Sequence, residues 1–230
     1  MAAYNGRLYA AFKNRTNYTL QFMVYEGYGW NTLQADIPNV ESWDTPALAA
    51  FQGKLHLVHR GKGSDTQLWH LTYDGTRWSP VTKLPAHRSE IQPALAVYNN
   101  RLHLVHRGAG NDVSLWHASY DGTTWSQDRK FAAHTTVAPP ALAVLGGELY
   151  CIHRGNKNDT KLWWTKLREG SAWTADSWLP DHHCDSGPGA AVYRDKNGTR
   201  DQLVVVHRGW GTRAADTDNT EQAPAQEPNL

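Results

Sequence analysis

The sequence lacks several features that define other classes of protein. It has 2 cysteines in 230 residues, too few for a disulfide scaffold. No apolar run approaches the ~20 residues of a membrane helix, and the first residues lack the charged and apolar regions of a signal peptide. Membrane insertion is therefore not expected, and the location in the cell is left open. The formal net charge of +1 gives no electrostatic reason to expect a nucleic acid partner. No nucleotide loop, nucleophile elbow or metal-ligand set is visible, so no cofactor or metal is expected.

Aromatic residues and a long internal repeat are what the sequence does contain. It has 11 Trp, 10 Tyr and 12 His, with Gly, Asp and Asn clusters at short intervals. The heptapeptide LHLVHRG occurs at 55–61 and again at 102–108, followed by LYCIHRG at 149–155 and LVVVHRG at 203–209. Proline opens successive units at spacings of 47, 47 and 48, at Pro46, Pro93, Pro140 and Pro188. A fixed period of this length indicates a repeat architecture.

Each unit reads as four short antiparallel strands. In the third unit the predicted strands are ALAVY (94–98), RLHLVHR (101–107), SLWHASY (114–120) and TTWSQDR (123–129). Asn99-Asn100 and Asp121-Gly122 are the predicted turns between them, because Asn and Gly tolerate positive φ. Four strands in about 45 residues is the size of one propeller blade. The sequence therefore predicts an all-β fold, a β-propeller of four-stranded blades with a repeat of about 47 residues.

The predicted propeller has four full units and a partial fifth. The domain is expected to span 1–210, with units at 1–45, 46–92, 93–139 and 140–187 and a partial unit at 188–210. The polar segment 211–230 is expected to be a disordered tail. Because a propeller must close, three interpretations follow: an incomplete five-bladed ring, a homo-oligomer whose partner copy closes or extends the ring, and a piece of a longer array.

Strand direction places one set of repeated side chains on a common rim. The HRG segment ends the second strand, the Trp of LW starts the third, and a further His lies in the connection to the next unit. A Trp plane with Arg and His donors suits the apolar face and the hydroxyls of a sugar. The predicted ligand residues are His59, Arg60, Trp69 and His87; His106, Arg107, Trp116 and His134; His153, Arg154, Trp163 and His182; and Arg208 from the partial unit.

Purely structural roles for the same residues are the alternative. Each Arg is followed five residues later by Asp65, Asp112 or Asp159, and a salt bridge between them would only fix the loop. The repeated Trp would then be a packing wedge and the repeated His a hydrogen-bonded core residue. The Trp of the DGTxW motifs is interpreted as a core aromatic beside a turn.

At LWH and at DGTRW and DGTTW (74–78 and 121–125) the chain resembles the bladed lectins of bacteria and fungi. The resemblance covers 1 to about 210 and implies a propeller that binds fucose, methylated sugars or N-acetylglucosamine between blades. A looser similarity links Ser119–Trp125 to the Asp-box of sialidases, although here Gly follows Asp directly and Trp comes one residue early.

The function predicted from these features is a multivalent lectin without catalytic activity, with glycans or glycoconjugates as partners. A protein-interaction scaffold is one alternative. A sialidase-like glycoside hydrolase is the other, since three arginines on one rim resemble a carboxylate clamp. Such an enzyme also needs two carboxyl groups ~5 to 9 Å apart in a single site, whereas every feature here recurs.

Overall fold

The computed structural model is all-β, and its strands form small antiparallel sheets arranged as the blades of a propeller. The structure describes residues 1–32, 37, 40–168, 172–194 and 200–209. Four blades have four strands each, ordered across the sheet as they are in the sequence, and a fifth sheet has two. The predicted architecture of four complete units and a partial fifth is therefore confirmed.

Equivalent strands have nearly the same length in the three central blades. Blade 1 contains β1 (Ala2–Tyr4), β2 (Arg7–Lys13), β3 (Leu20–Tyr25) and β4 (Trp30–Thr32). Blade 2 contains β5 (Ala47–Phe51), β6 (Lys54–Arg60), β7 (Gln67–Tyr73) and β8 (Thr82–Arg88). Blade 3 contains β9 (Ala94–Tyr98), β10 (Arg101–Arg107), β11 (Ser114–Tyr120) and β12 (Arg129–Thr135). Blade 4 contains β13 (Ala141–Leu145), β14 (Glu148–Arg154), β15 (Lys161–Leu167) and β16 (Ser177–His183); blade 5 contains β17 (Gly189–Arg194) and β18 (Asp201–Val206).

Tight turns join the first and second strands of the complete blades. Both central residues of these turns have positive φ; the pairs are Asn5-Gly6, Gln52-Gly53, Asn99-Asn100 and Gly146-Gly147. Positive φ at both positions is the type I′ geometry, whose twist matches that of paired antiparallel strands. The turn predicted at Asn99-Asn100 is present in this form.

The fourth strand starts later than the sequence predicts. The predicted strand 123–129 is wrong, since β12 begins only at Arg129. The reason is the DG turn: Asp121 Oδ1 accepts hydrogen bonds from the backbone N–H groups of the two residues that follow Gly122, both at 2.8 Å. Ser126 then exchanges hydrogen bonds with Ser119, at 2.8 and 3.0 Å, and its hydroxyl also donates to the carbonyl of the next residue. The chain leaves the sheet there and rejoins it at β12.

The apolar core lies between blades rather than within one. The innermost strands β1, β5, β9, β13 and β17 contact one another in series. Tyr9 and Phe22 of blade 1 pack with Leu57, Leu71 and Trp78 of blade 2 in one buried cluster. Equivalent clusters join blades 2 and 3 and blades 3 and 4. Burying both faces of each sheet explains why apolar side chains occur at consecutive positions in the second strands.

The two cysteines, Cys151 and Cys184, are free and fully buried. Burial raises the pKa of the Cys151 thiol far above its ordinary value, so this thiol stays protonated. Within the described ranges, no helix is long and apolar enough to cross a membrane. The predicted disordered tail, 211–230, lies outside the described residues.

Candidate functional site

A β-bulge in the fourth strand directs a histidine of one blade towards the next blade. In blade 2, Gln67 pairs with Arg88 but Trp69 pairs with Lys83, so β8 carries extra residues opposite a short stretch of β7. The same shift occurs in blades 3 and 4. Ala86, with φ of 59°, turns the chain just before His87. A bulge of this kind re-aims side chains, and the predicted connection histidines in fact lie in the fourth strands.

Two grooves between blades are built from equivalent residues. Groove 2/3, between blades 2 and 3, encloses about 580 Å³. Groove 3/4, between blades 3 and 4, encloses about 530 Å³. The lining residues common to both are, in that order, His87 and His134, His106 and His153, Asp112 and Asp159, Trp116 and Trp163, Trp125 and Trp173, and Asp128 and Asp176.

A carboxylate held between two histidines forms the floor of each groove. His106 is buried; its Nε2 lies 3.2 Å from both oxygens of Asp128, and its Nδ1 lies 3.1 Å from the Arg107 carbonyl. His87, from the preceding blade, donates from Nε2 to the Ser126 carbonyl at 3.0 Å and lies 3.5 Å from Asp128 Oδ1. The carboxylate stays 15% exposed towards the groove. Because a carboxylate offers about four acceptor positions, Asp128 can accept further hydrogen bonds from a ligand.

The second groove repeats this arrangement closely. His153 Nε2 lies 3.1 Å from Asp176 Oδ1, and His134 Nε2 lies 3.2 Å from the same atom. His134 also donates to the Thr174 carbonyl at 2.9 Å, as His87 does to Ser126. The Asp176 side chain is 21% exposed. Both grooves thus contain the same contact between two histidines, one aspartate and one backbone carbonyl, so the repeated sequence specifies this contact.

An aspartate in the hairpin loop fixes the plane of each groove tryptophan. Trp116 Nε1 donates to Asp112 Oδ2 at 2.8 Å, and Trp163 Nε1 donates to Asp159 Oδ2 at the same distance. The other oxygen of Asp159 accepts from a backbone N–H at the start of β15. The glycine of HRG leaves room for this carboxyl group, since a Cβ on Gly155 would collide with Asp159. The motif RG-xxx-D-xxx-W thus positions an indole ring.

The predicted arginines do not line either groove. Arg154 is buried and donates from Nε to the Cys184 carbonyl at 2.9 Å and from Nη2 to the Lys157 carbonyl at 3.2 Å. Arg60 and Arg107 likewise donate to carbonyls of their own hairpin loops, at 2.7 and 3.0 Å. These guanidinium groups stabilise the loop backbone by donating to its carbonyl groups. Their proposed contact with a ligand stays a prediction that this geometry does not favour.

The predicted salt bridge within each hairpin is also absent among the described residues. Asp65, Asp112 and Asp159 accept from tryptophan side chains instead of pairing with the arginines. Arg60 has its ion pair with Asp44, at 3.6 Å, in the connection that enters its blade. The loop is stabilised as the structural interpretation expected, but through backbone carbonyls rather than through the aspartate.

The predicted grouping of site residues by repeat unit is wrong. His87 was expected beside His59, Arg60 and Trp69 of its own unit, but it lies in the groove of the following unit, with His106 and Trp116. His134 lies in the same way with His153 and Trp163. The reason is the bulge of the fourth strand, which carries its histidine across the gap between blades.

His182 of blade 4 follows the same rule. Its Nδ1 lies 3.2 Å from Nε2 of His207 in blade 5. Arg208 forms an ion pair with Asp185 and is largely exposed, unlike the buried arginines of the earlier blades. The positions in blade 5 that correspond to Trp163 and Asp176 fall outside the described part of the chain.

Six lining residues shared by the two grooves were not predicted as ligand residues: Asp112, Trp125 and Asp128 with their equivalents Asp159, Trp173 and Asp176. Trp78 and Trp125 were assigned to the core; Trp78 is buried, and the half-buried Trp125 packs against the core while it also lines groove 2/3. Trp173 packs against the core and lines groove 3/4 in the same way. Asp128 and Asp176 are 48 residues apart, as the repeat requires, whereas the equivalent position in blade 2 is Val81. The 48-residue spacing between Asp128 and Asp176 was the signal in the sequence that could have identified the pair.

Comparison with known proteins places the fold without defining a family. No family model matches the sequence, and no curated protein matches it. A mutant of AofleA from Arthrobotrys oligospora, in which three arginines are replaced by alanine, superposes with a TM-score of 0.65 at 12% identity, over 90% of this chain and 67% of that one. The six-bladed fucose-recognising lectin of Aleuria aurantia gives 0.61 at 14% identity, over 90% and 76%. An exo-β-1,3-galactanase from Phanerochaete chrysosporium gives 0.57 at 10% identity, over 77% and 48%. These similarities identify the fold as a β-propeller.

Proposed function

We propose that the protein is a carbohydrate-binding lectin whose sugar sites are groove 2/3 and groove 3/4. The observation that carries the proposal is the duplicated set of two tryptophans beside a partly exposed carboxylate. An indole face packs on the apolar face of a sugar ring, while the carboxylate accepts hydrogen bonds from ring hydroxyls. The likeness to the fucose lectin of Aleuria aurantia supports this class of ligand.

The ligand class that fits best is a neutral sugar with adjacent hydroxyl groups. Among the described residues, groove 3/4 is lined by Asp159 and Asp176 and by no Lys or Arg, although Lys161 Nζ lies 5.9 Å from the Trp163 ring. An acidic sugar would therefore meet mainly negative charge in the lining. Two oxygens of Asp176 can accept from two neighbouring hydroxyls, which a carboxylate does well. Each site is expected to be weak, and two sites on one rim strengthen binding to a branched or clustered glycan.

The test is a glycan array followed by calorimetry with a panel of methyl glycosides. Trp116→Ala and Trp163→Ala are each expected to weaken binding at their own groove by roughly tenfold, from a stacking contribution of about 1 to 1.5 kcal/mol. Trp30→Ala is the matched control, because this half-exposed tryptophan lies in β4, away from both grooves. If the folded Trp116→Ala/Trp163→Ala protein binds as the parent does, the proposed sites are wrong.

The galactanase similarity makes a turnover assay part of the same test. Release of product from chromogenic glycosides would assign the grooves to a glycosidase instead. A partner protein whose capture no free sugar competes would assign the ring to a scaffold. Binding without turnover that free monosaccharide competes supports the lectin.

A further inference from the structure

Three grooves of the propeller share one framework but differ in sequence at two positions; in addition Trp78, the equivalent of Trp125 and Trp173, is buried. Groove 1/2, between blades 1 and 2, contains His59 and Trp69, and Trp69 Nε1 donates to Asp65 at 3.1 Å as its equivalents do. Where groove 2/3 has His87 and Asp128, groove 1/2 has Val40 and Val81, each 47 residues earlier. Both halves of the histidine–aspartate contact are thus replaced together.

Backbone contacts show that Val40 occupies the same place as His87. Two residues after Val40, Ser42 donates its N–H to a carbonyl of the preceding hairpin and its hydroxyl to a carbonyl two residues on. Ser89, two residues after His87, makes the same pair of contacts. Thr136, two residues after His134, repeats them in blade 3. The comparison between grooves is therefore structural as well as sequential.

The replacement leaves a visible defect in groove 1/2. His59 is 3% exposed, and its Nε2 atom has no hydrogen-bond partner. The equivalent atoms of His106 and His153 lie 3.2 and 3.1 Å from oxygens of Asp128 and Asp176. Val40 is buried and Val81 is 38% exposed, and neither can bind a hydroxyl group. At these two positions groove 1/2 therefore has no acceptor for a sugar hydroxyl, although it keeps the histidine and the oriented tryptophan.

We propose that the aspartate held between two histidines decides whether a groove binds sugar, so that groove 2/3 and groove 3/4 bind and groove 1/2 does not. This inference rests on the proposed function and adds to it the residue pair that makes a groove competent. The role of each histidine is to hold the carboxylate in place from two different blades, so that its free lone pairs face the ligand. A tryptophan alone, as in groove 1/2, is insufficient.

The molecule supplies its own matched variants. His87→Val/Asp128→Val gives groove 2/3 the two valines that the fold already accommodates in groove 1/2. Val40→His/Val81→Asp makes the reverse change and is expected to place a carboxylate beside His59 Nε2, where Asp128 lies beside His106 Nε2. Asp128→Asn, which keeps the shape of the side chain, is a milder loss variant should the double valine variant fail to fold.

Crystals of each protein soaked with the best-binding methyl glycoside of the panel report occupancy groove by groove. We expect sugar in grooves 2/3 and 3/4 of the parent, in groove 3/4 alone after His87→Val/Asp128→Val, and in all three after Val40→His/Val81→Asp. In solution Asp128→Asn is expected to weaken groove 2/3 at least tenfold.

The possible results separate the inference from the proposed function. Sugar in groove 1/2 of the parent, or undiminished binding to groove 2/3 after removal of Asp128, would overturn the inference while leaving the lectin intact. An empty groove 1/2 in a folded Val40→His/Val81→Asp protein would overturn it as well. A parent that binds no glycoside in any groove would instead refute the proposed function.

Discussion

Two pairs of buried histidines outside the grooves are expected to make the fold sensitive to acid. His56 Nδ1 lies 3.0 Å from His70 Nε2, and His56 Nε2 donates to the Phe51 carbonyl at 3.2 Å. His103 and His117 form the same contact at 2.8 Å, with nearly parallel rings. In each neutral pair one ring donates to the other. A further proton would set N–H against N–H inside the core.

Burial sets the size and the sign of this effect. It lowers the pKa of His56 and His103 to about 4 and that of His70 and His117 to about 3. In the unfolded chain these groups have a pKa of about 6.5, so between about pH 6.5 and 4 the unfolded state binds more protons. The stability is therefore complete above pH 6.5 and falls as the pH falls. Counting only one of the two histidines in each pair, which gives a lower bound, the loss at pH 4.5 is about 2.5 kcal/mol for each pair. Two pairs together remove about 5 kcal/mol, a large part of a typical domain's stability.

The assay is urea unfolding at pH 7.0, 6.0, 5.0 and 4.5, followed by tryptophan fluorescence. The matched variant is His103→Tyr/His117→Phe, because blade 1 has Tyr9 and Phe22 stacked in this place at 5.3 Å. Removing one pair should reduce the acid-induced loss of unfolding free energy by about 2.5 kcal/mol relative to the parent. Protonation of carboxylates affects both proteins alike and cancels in this difference. Equal pH dependence of parent and variant would refute the reasoning.

Three further predictions concern the groove framework. Arg154→Ala removes donors to three backbone carbonyls and should lower the free energy of unfolding by about 3 kcal/mol, while groove 2/3 keeps its affinity for sugar. Normal stability together with lost sugar binding would instead make Arg154 a ligand residue. Gly155→Ala should displace Asp159, free the indole ring it holds and weaken sugar binding at groove 3/4 only, as measured by calorimetry and groove occupancy. Arg88 lines groove 2/3, and Thr135 has the equivalent place in groove 3/4. Methyl glucuronide is therefore expected to bind groove 2/3 alone, weakly, and less at high salt. Arg88→Thr should abolish that binding.

The repeat made the fold predictable because the same pattern of strands and turns recurs in every complete unit. The strands 94–98, 101–107 and 114–120 of the third unit are present with the predicted bounds. The fourth strand was misplaced, since side-chain hydrogen bonds of Asp121 and Ser126 hold the chain beside β11, and regular pairing starts only at Arg129. Local hydrogen bonds of that kind leave little trace in hydrophobic periodicity.

By itself the sequence determined which residues are equivalent: the fixed spacing identifies every HRG histidine, every LW tryptophan and, with hindsight, Asp128 and Asp176. Only the tertiary structure decided which equivalents meet. A bulge carries His87 into the groove of the next blade, and loop carbonyls draw the HRG arginines away from it. The physical reason is that spacing along a chain encodes the geometry of one blade, whereas a groove is formed by two blades whose contact depends on how their sheets pack.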